Sequence, residues 1–217
     1  MNGMTQPQLS TDRVQRNMIV PWPFVGMGLV LLLAGTSIGW LWRSVSLQPS
    51  DAELTFTRDM ATHHTQAIEM ALILRDRSTN DELRTLALDI TLTQQAQIGQ
   101  MQGWLSVWNQ PLAGPEPPMN GMGMMMGMAT EEQIAALRTL PIDQAEISFL
   151  QLLIRHHQGA VIMSQEAVRE ARQPEIVDLA SKTIAAQQSE IHSMQQLLEQ
   201  RGAQPSAPVQ PMEMLHK

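Results

Sequence analysis

The stretch FTRDMATHHTQAIEMA, from Phe56 to Ala71, returns 93 residues later as FLQLLIRHHQGAVIMS, from Phe149 to Ser164. Further identities continue at this offset, without a gap, as far as Leu105. A gapless match of this kind indicates an internal duplication. Because the shared positions include the pairs His63–His64 and His156–His157, the duplicated unit is expected to carry a site as well as a fold.

Each copy has the apolar spacing of a helix that packs in a bundle. From Phe56 the apolar seam advances by four, three, four, three and four residues, which is a heptad pattern that includes His63. No segment alternates with a period of two, so strands are not expected. We therefore predict an all-α fold, a ferritin-like antiparallel four-helix bundle over residues 50–202. Its two duplicated helical hairpins are expected at 50–108 and 143–202.

Helix starts are predicted at four capping boxes, in which Ser, Thr or Asp precedes Glu or Gln by three residues. They are Ser50–Glu53, Thr79–Glu82, Thr130–Gln133 and Asp143–Glu146. The last helix is expected to begin at Pro174, which suits a first helical turn, and to end at Gly202.

Composition excludes several classes of function. The chain of 217 residues is long enough for one modest domain with accessory segments. Its net charge of −7 argues against a nucleic-acid partner. Cysteine is absent, which argues against zinc-thiolate and iron–sulfur sites and against disulfides. Methionine, with 17 residues, is the soft side chain that this protein uses instead.

A membrane anchor is predicted near the N-terminus. The 19 residues 24–42 carry no charge, which matches the length of a bilayer-spanning helix. We expect a short cytoplasmic segment at 1–20 and one transmembrane helix at 21–43. The chain would then be anchored in a bacterial inner membrane. The bundle and a Pro/Met-rich tail at 203–217 would lie on the periplasmic or exterior side. A cleaved signal peptide is the competing interpretation.

The histidine pairs admit a structural and a functional interpretation. A single histidine on a core seam is ordinarily a packed, hydrogen-bonded residue, but here the pair recurs in both copies. Met60 precedes His63 and His64 by three and four residues, so the three side chains can converge on one helical turn. Leu153 replaces this methionine in the second copy, so the two copies are not expected to be equivalent.

Hairpin geometry predicts which residues face the histidines. His63 and His156 are expected in the core, with His64 and His157 turned about 100° towards a flank. Gln94–Gln95 are expected opposite the first pair and Gln187–Gln188 opposite the second, either as partners that orient the imidazoles or as polar residues that fix helix register.

The ligand types favour a soft metal ion. Imidazole combined with neutral thioether selects Cu(I), and Ag(I) by analogy. No carboxylates cluster in sequence with the histidine pairs, which argues against zinc. No Glu lies three residues before a His, which argues against a di-iron site. A catalytic histidine would also want a carboxylate partner, so no enzyme activity is predicted.

A Pro/Gly/Met linker at 109–129 joins the two hairpins. Within it, MNGMGMMMGM spans 119–128 and holds six methionines. Flexible thioethers on a glycine-rich chain can wrap a soft cation in many geometries. The alternative is a low-complexity flexible linker. The candidate ligands here are Met119, Met122, Met124, Met125, Met126 and Met128.

The doubled HHTQAIEMA and HHQGAVIMS motifs, with a Met/Gly linker between them, resemble the domain-of-unknown-function 305 family over about residues 52–200. That resemblance implies a ferritin-like bundle, and the family's characterised members include periplasmic CopM-type copper-binding proteins. It implies Cu(I) and Ag(I) binding outside the cytoplasm, for tolerance or trafficking. The ligands that it implies are Met60, His63, His64 and Met70 in the first copy, His156, His157 and Met163 in the second, and Met101 and Met194 from the partner helices.

The leading hypothesis is therefore a membrane-anchored bundle that buffers or stores Cu(I), or delivers it to a copper efflux or chaperone protein. Metal affinity is expected to fall as the imidazoles protonate near pH ~6.5. Two alternatives remain open: a haem-binding electron carrier with non-covalent haem, and a metal-free structural or pH-sensing bundle.

Overall fold

The computed structural model describes residues 48–209, and every regular element in that range is helical. The five α-helices are α1 (Asp51–Arg77), α2 (Asp81–Val107), α3 (Glu131–Thr139), α4 (Ile142–Glu170) and α5 (Pro174–Gln200), and a 3-10 helix spans Pro118–Gly121. The predicted all-α class is confirmed. The predicted cytoplasmic segment and transmembrane helix lie outside the described residues. Among the helices described, none combines the length and apolar character that a bilayer crossing requires.

The four long helices form two hairpins. α1 packs along α2, α4 packs along α5, and the main contact between the hairpins is that of α1 with α4. The short α3 lies against both α1 and α4. The two helices that carry the histidine pairs therefore meet at the interface between the copies.

Two of the four predicted capping boxes form, at Ser50 and at Thr130. The box at Thr79 was wrong, because Asn80 Oδ1 accepts the Leu83 N–H at 3.0 Å and α2 begins one residue later. The box at Asp143 was also wrong. Pro141 precedes the helix with extended backbone, so Asp143 already lies inside the first turn of α4.

Two glutamates at equivalent positions of the repeat fasten the copies to each other. Glu53 is 1% exposed, and its Oε1 accepts the backbone N–H groups of Arg172 and Gln173, in the turn between α4 and α5, at 2.8 and 2.7 Å. Glu146 in turn accepts the Ser78 hydroxyl, in the turn between α1 and α2, at 2.6 Å. Each copy thus begins its long helix with a carboxylate that holds the hairpin turn of the other copy.

Replacing Glu53 by alanine is expected to lower the free energy of unfolding by about 3 kcal/mol, because buried N–H groups then lose their acceptor. Burial alone would raise the pKa of Glu53, but hydrogen bonds led by that from the Ser50 backbone lower it, so the carboxylate is charged at neutral pH. Urea unfolding measures the effect. The exposed Glu82, in the first turn of α2, is the matched control, and Glu82→Ala is expected to change stability by less than about 0.5 kcal/mol. Equal losses in the two variants would contradict this role of Glu53.

A polar layer divides the apolar core into two clusters. One cluster contains Phe56, Met60 and Met101, and the other contains Met70 and Met194. On every long helix, buried polar residues lie between the members of the two clusters. They are His63, His64, Gln94, His156, His157, Thr183 and Gln187. The bundle therefore places its histidines halfway along its length, between two apolar layers.

Candidate metal centre

The two histidine pairs meet in one place. The ring centroids of His63 and His156 lie 3.6 Å apart across the α1–α4 contact, and those of His156 and His157 lie 6.4 Å apart. All four histidines are fully buried. His64 and His157, predicted to turn towards a flank, contact α2 and α5 through Gln97 and Glu190 and are fully buried there. We call these four residues the histidine cluster.

Three of the four imidazoles are held by oxygen atoms. His63 Nε2 lies 2.9 Å from the Met126 carbonyl oxygen, His64 Nε2 lies 2.6 Å from Gln97 Oε1, and His157 Nε2 lies 2.8 Å from Glu190 Oε2. Carbonyl and carboxylate oxygens accept hydrogen bonds, so each ring donates its Nε2–H. In a neutral imidazole the lone pair is then on Nδ1. The protein thus presents Nδ1 of these three rings as the atom able to bind a metal.

The side chains that bind the imidazoles are not the predicted glutamines. Gln94 and Gln187 are buried but form no hydrogen bond with an imidazole, and the partners are Gln97 and Glu190, three residues further along. Gln97 and Glu190 are equivalent in the repeat but differ in type, so comparing identities could not find them. The expectation that no carboxylate lies near the histidine pairs was also wrong, because Glu190 contacts His157.

The polar layer that contains the histidine cluster is rich in buried polar atoms that have no partner within the protein. They include Nδ1 of His63, His64 and His157, both ring nitrogens of His156, both polar side-chain atoms of Gln94, and Oε1 of Gln187. Leaving a buried polar group unpaired costs about 1–3 kcal/mol. Within residues 48–209, no three His, Asp or Glu side chains come together as a ready metal site. A metal site here would therefore use few imidazoles and complete its shell with methionine.

The methionines group differently from the order of the sequence. Met163 packs against the apolar cluster that contains Met60 and Met101, whereas Met70 and Met194 lie in the other cluster. The resemblance had grouped Met70 with the first histidine pair and Met163 with the second. Each apolar layer is built from residues of both copies. Residues that precede and follow the histidines on one helix therefore belong to different layers. One layer contains three methionines, and Leu153 lies in the other.

The Met-rich linker is fastened over the histidine cluster. Besides the contact of its Met126 carbonyl with His63, Gln66 brackets the backbone of Ala129, donating to its carbonyl at 2.9 Å and accepting its N–H at 2.8 Å. A Cβ on Gly159 would lie 1.7 Å from the Met126 carbonyl oxygen. Gly159 therefore lets the linker backbone approach α4.

The linker methionines differ in exposure. Met119 is 6% exposed, whereas Met124 and Met125 are 60% and 46% exposed. Met122, Met126 and Met128 are partly buried. The structure thus brings part of the predicted linker set towards the helices and leaves Met124 and Met125 at the surface.

Burial keeps His63, His64 and His156 neutral at neutral pH. It lowers the pKa of His63 to about 4 and that of His64 to about 3, and it holds the pKa of His156 well below its ordinary value of 6.5. Nearby imidazoles lower the pKa values further, and the Met126 carbonyl opposes this at His63. Neutral rings are the form that binds metal. Protons are thus expected to compete with the metal for these ring nitrogens only well below pH ~6.5, which is a lower pH than the sequence predicted.

Stability of the metal-free protein is expected to fall on acidification because of these histidines. Above pH ~6.5 a histidine is neutral in both states. Between pH ~6.5 and pH about 3, His64 binds a proton in the unfolded chain but not in the folded chain. The free energy of unfolding therefore decreases as pH falls. Replacing His64 by glutamine is expected to reduce this slope by up to about 1.4 kcal/mol per pH unit. Urea unfolding between pH 7 and pH 4 measures the slope. His192→Gln, at an exposed position, is the control, and an equal change there would contradict the expectation.

Comparison with known proteins places these features in context. Residues 53–198 match the family described as domain of unknown function, DUF305. A crystal structure of a DUF305 protein from Streptomyces coelicolor is 44% identical, with a TM-score of 0.68, and the match covers 72% of this chain and 97% of that one. For a DUF305 fragment from Deinococcus radiodurans, the identity is 42%, the TM-score 0.66 and the coverage 70% and 99%.

Structures of CopM with bound copper or silver also match this chain. Its Cu(I)-bound form is 27% identical to this chain, with a TM-score of 0.57, and the match covers 68% of this chain and 96% of CopM. Its Cu(II)-bound form is 30% identical, with a TM-score of 0.59 and the same coverage. Ag-bound forms of CopM match too. No curated protein matches the chain.

Proposed function

The chain belongs to the DUF305 family, and we propose that this member binds Cu(I) in its histidine cluster, and Ag(I) by the same chemistry. The observation that carries the proposal is the set of five ring nitrogens that are fully buried without a partner in the protein. In three of the rings, an oxygen on Nε2 leaves the Nδ1 lone pair free. A cation bound to one or two of these nitrogens would offset part of this cost, whereas without metal all of them stay unpaired.

The surroundings favour a soft monovalent ion. Met60 lies one turn before His63 and His64, and it shares its apolar layer with Met101 and Met163. Thioether and imidazole together suit Cu(I), which accepts low coordination numbers and neutral ligands. The similarity to CopM, which has been solved with copper and with silver, supports the same choice.

The ion is proposed as cargo and not as a catalytic centre. A site buried between two apolar layers suits buffering, storage or handover to a copper efflux or chaperone protein better than turnover of a substrate. We retain the proposals that residues 21–43 anchor the chain in a bacterial inner membrane and that the bundle faces the periplasm. Cysteine-free ligation suits an oxidising compartment, where thiols are lost.

A competition titration tests the proposal. The full-length protein is titrated anaerobically against a chromophoric Cu(I) chelator and compared with His63/His64/His156/His157→Ala. The variant is expected to bind Cu(I) in the tight site at least about a hundredfold more weakly, which corresponds to about 2.7 kcal/mol.

Circular dichroism shows whether the four-alanine variant keeps its helices, and His63/His156→Gln serves as a milder second variant. Affinity equal to that of the wild type in a folded variant would overturn the histidine site. If neither protein competes with the chelator, the copper proposal fails, and the haem-binding carrier and the metal-free structural or pH-sensing bundle are the remaining explanations of the buried imidazoles.

A further inference from the structure

A cleft of about 660 Å³ opens beside the histidine cluster, between the first turns of α1, the linker and the second half of α4. Four methionines line it: Met119, Met122, Met126 and Met163. We propose that this methionine cleft is a second, weaker site for Cu(I) or Ag(I), through which the ion reaches the histidine cluster. The destination of the ion rests on the proposed function, but the existence of the site does not.

Met119 is held in the methionine cleft at a conformational cost. Its φ of 54° lies in the left-handed region, which glycine adopts more readily. Burial raises the pKa of the neighbouring Asp59, and the backbone N–H of Met119 opposes that rise. A strained residue persists where its surroundings determine its position, and such residues concentrate at functional sites. The linker contains glycines on either side, yet this position presents a thioether to the cleft.

The charges around the methionine cleft favour a cation. Four carboxylates line it, those of Asp51, Asp59, Glu166 and Glu170, against the single guanidinium of Arg169, which pairs with Glu166. A cleft lined by one sign of charge concentrates ions of the other sign and raises their rate of association. The carboxylates would attract any cation, and the thioethers would select a soft one.

The methionine cleft adjoins the linker contact that holds His63. Met126 lines the cleft, and its own carbonyl accepts the hydrogen bond of His63. Met163 lines the cleft as well, and it packs against the apolar layer of Met60 and Met101 beside the histidines. Methionines thus lie both in the cleft and in the apolar layer next to the histidines. An ion could pass by exchanging one sulfur ligand for the next.

Met124 and Met125 provide a matched comparison. They belong to the same linker, but they are exposed and do not line the methionine cleft. A site that needed only the methionine content of the linker would use them as readily as Met119 and Met122. A site built by the fold would not.

The experiment compares three variants of the full-length protein with the wild type: Met119/Met122/Met163→Leu, Met124/Met125→Leu and His63/His64/His156/His157→Ala. Leucine conserves volume and removes the sulfur. Anaerobic Cu(I) titration counts the equivalents bound, and stopped-flow mixing with a Cu(I)–chelator complex gives the loading rate. The Met119/Met122/Met163 variant is expected to bind one weak equivalent fewer and to load about tenfold more slowly. The Met124/Met125 variant is expected to match the wild type, and the histidine variant to retain the weak equivalent.

Each result decides between the two sites. If the Met119/Met122/Met163 variant keeps every equivalent and the wild-type rate, the methionine cleft is overturned while the histidine cluster stands. If the Met124/Met125 variant loses the same equivalent, the linker composition is responsible and the cleft is overturned. If the histidine variant binds as the wild type does, the proposed function fails, and a loss confined to the Met119/Met122/Met163 variant would still support the cleft.

Discussion

Cu(I) is expected to raise the free energy of unfolding of this protein by about 4 kcal/mol when the free ion is held a thousandfold above its dissociation constant. Only the folded chain brings the buried ring nitrogens of His63, His64, His156 and His157 together. An ion that binds the folded state alone stabilises it by mass action. For a chain of this length the change corresponds to about 10 °C in Tm. Anaerobic thermal unfolding followed by far-ultraviolet circular dichroism measures it.

The control for this stabilisation is the variant His63/His64/His156/His157→Ala under the same buffered Cu(I). Its Tm is expected to rise by less than about 3 °C, which corresponds to about 1 kcal/mol in a chain of this size. An equal rise in both proteins would mean that methionines outside the histidine cluster provide the stabilising site. No rise in the wild type would mean that the buried nitrogens are not metal ligands.

Replacing Gly159 by alanine is expected to cost about 3 kcal/mol of stability, because overpacking a close backbone contact forces the backbone to shift. The added Cβ would lie 1.7 Å from the carbonyl oxygen of Met126 and 2.3 Å from its carbonyl carbon. The linker must move away from α4, and His63 then loses the acceptor that fixes its tautomer. Since such partners typically contribute 10–100-fold to metal affinity, Cu(I) affinity is expected to fall about tenfold. Urea unfolding and the chelator titration measure the two effects.

Gly99→Ala provides the matched control for Gly159→Ala. Gly99 also lies within a helix, but a Cβ there meets nothing within 4 Å. Alanine is the better helix former, so this change is expected to stabilise the protein by about 0.5–1 kcal/mol and to leave Cu(I) affinity unchanged. If Gly159→Ala were as harmless as Gly99→Ala, the linker would not be fastened over the histidine cluster.

The fold was predictable from the sequence because the helices carry local signals. The repeat offset identified two equivalent hairpins, and Pro174 and Gly202 marked the limits of the last helix. Two helix caps were missed, one by one residue and the other by two, because short-range competition decided them. Asn80 competed with Thr79 at one start, and Pro141 set the other.

The site was only partly predictable, because its decisive contacts join distant segments. The sequence pointed to the four histidines but not to their convergence, which depends on how closely α1 approaches α4. It missed Gln97 and Glu190 because equivalent positions carry different side chains. The role of Gly159 depends on a linker that docks only in the folded chain.

The most direct test of the central claim is a crystal structure of the Cu(I)-loaded protein with an anomalous difference map at the copper edge. The account predicts a peak between α1 and α4, within bonding distance of Nδ1 of at least one of His63, His64 and His157, with Nε2 of that ring still on its oxygen partner. Copper found solely on exposed methionines of the linker, with all four imidazoles unbound, would contradict it.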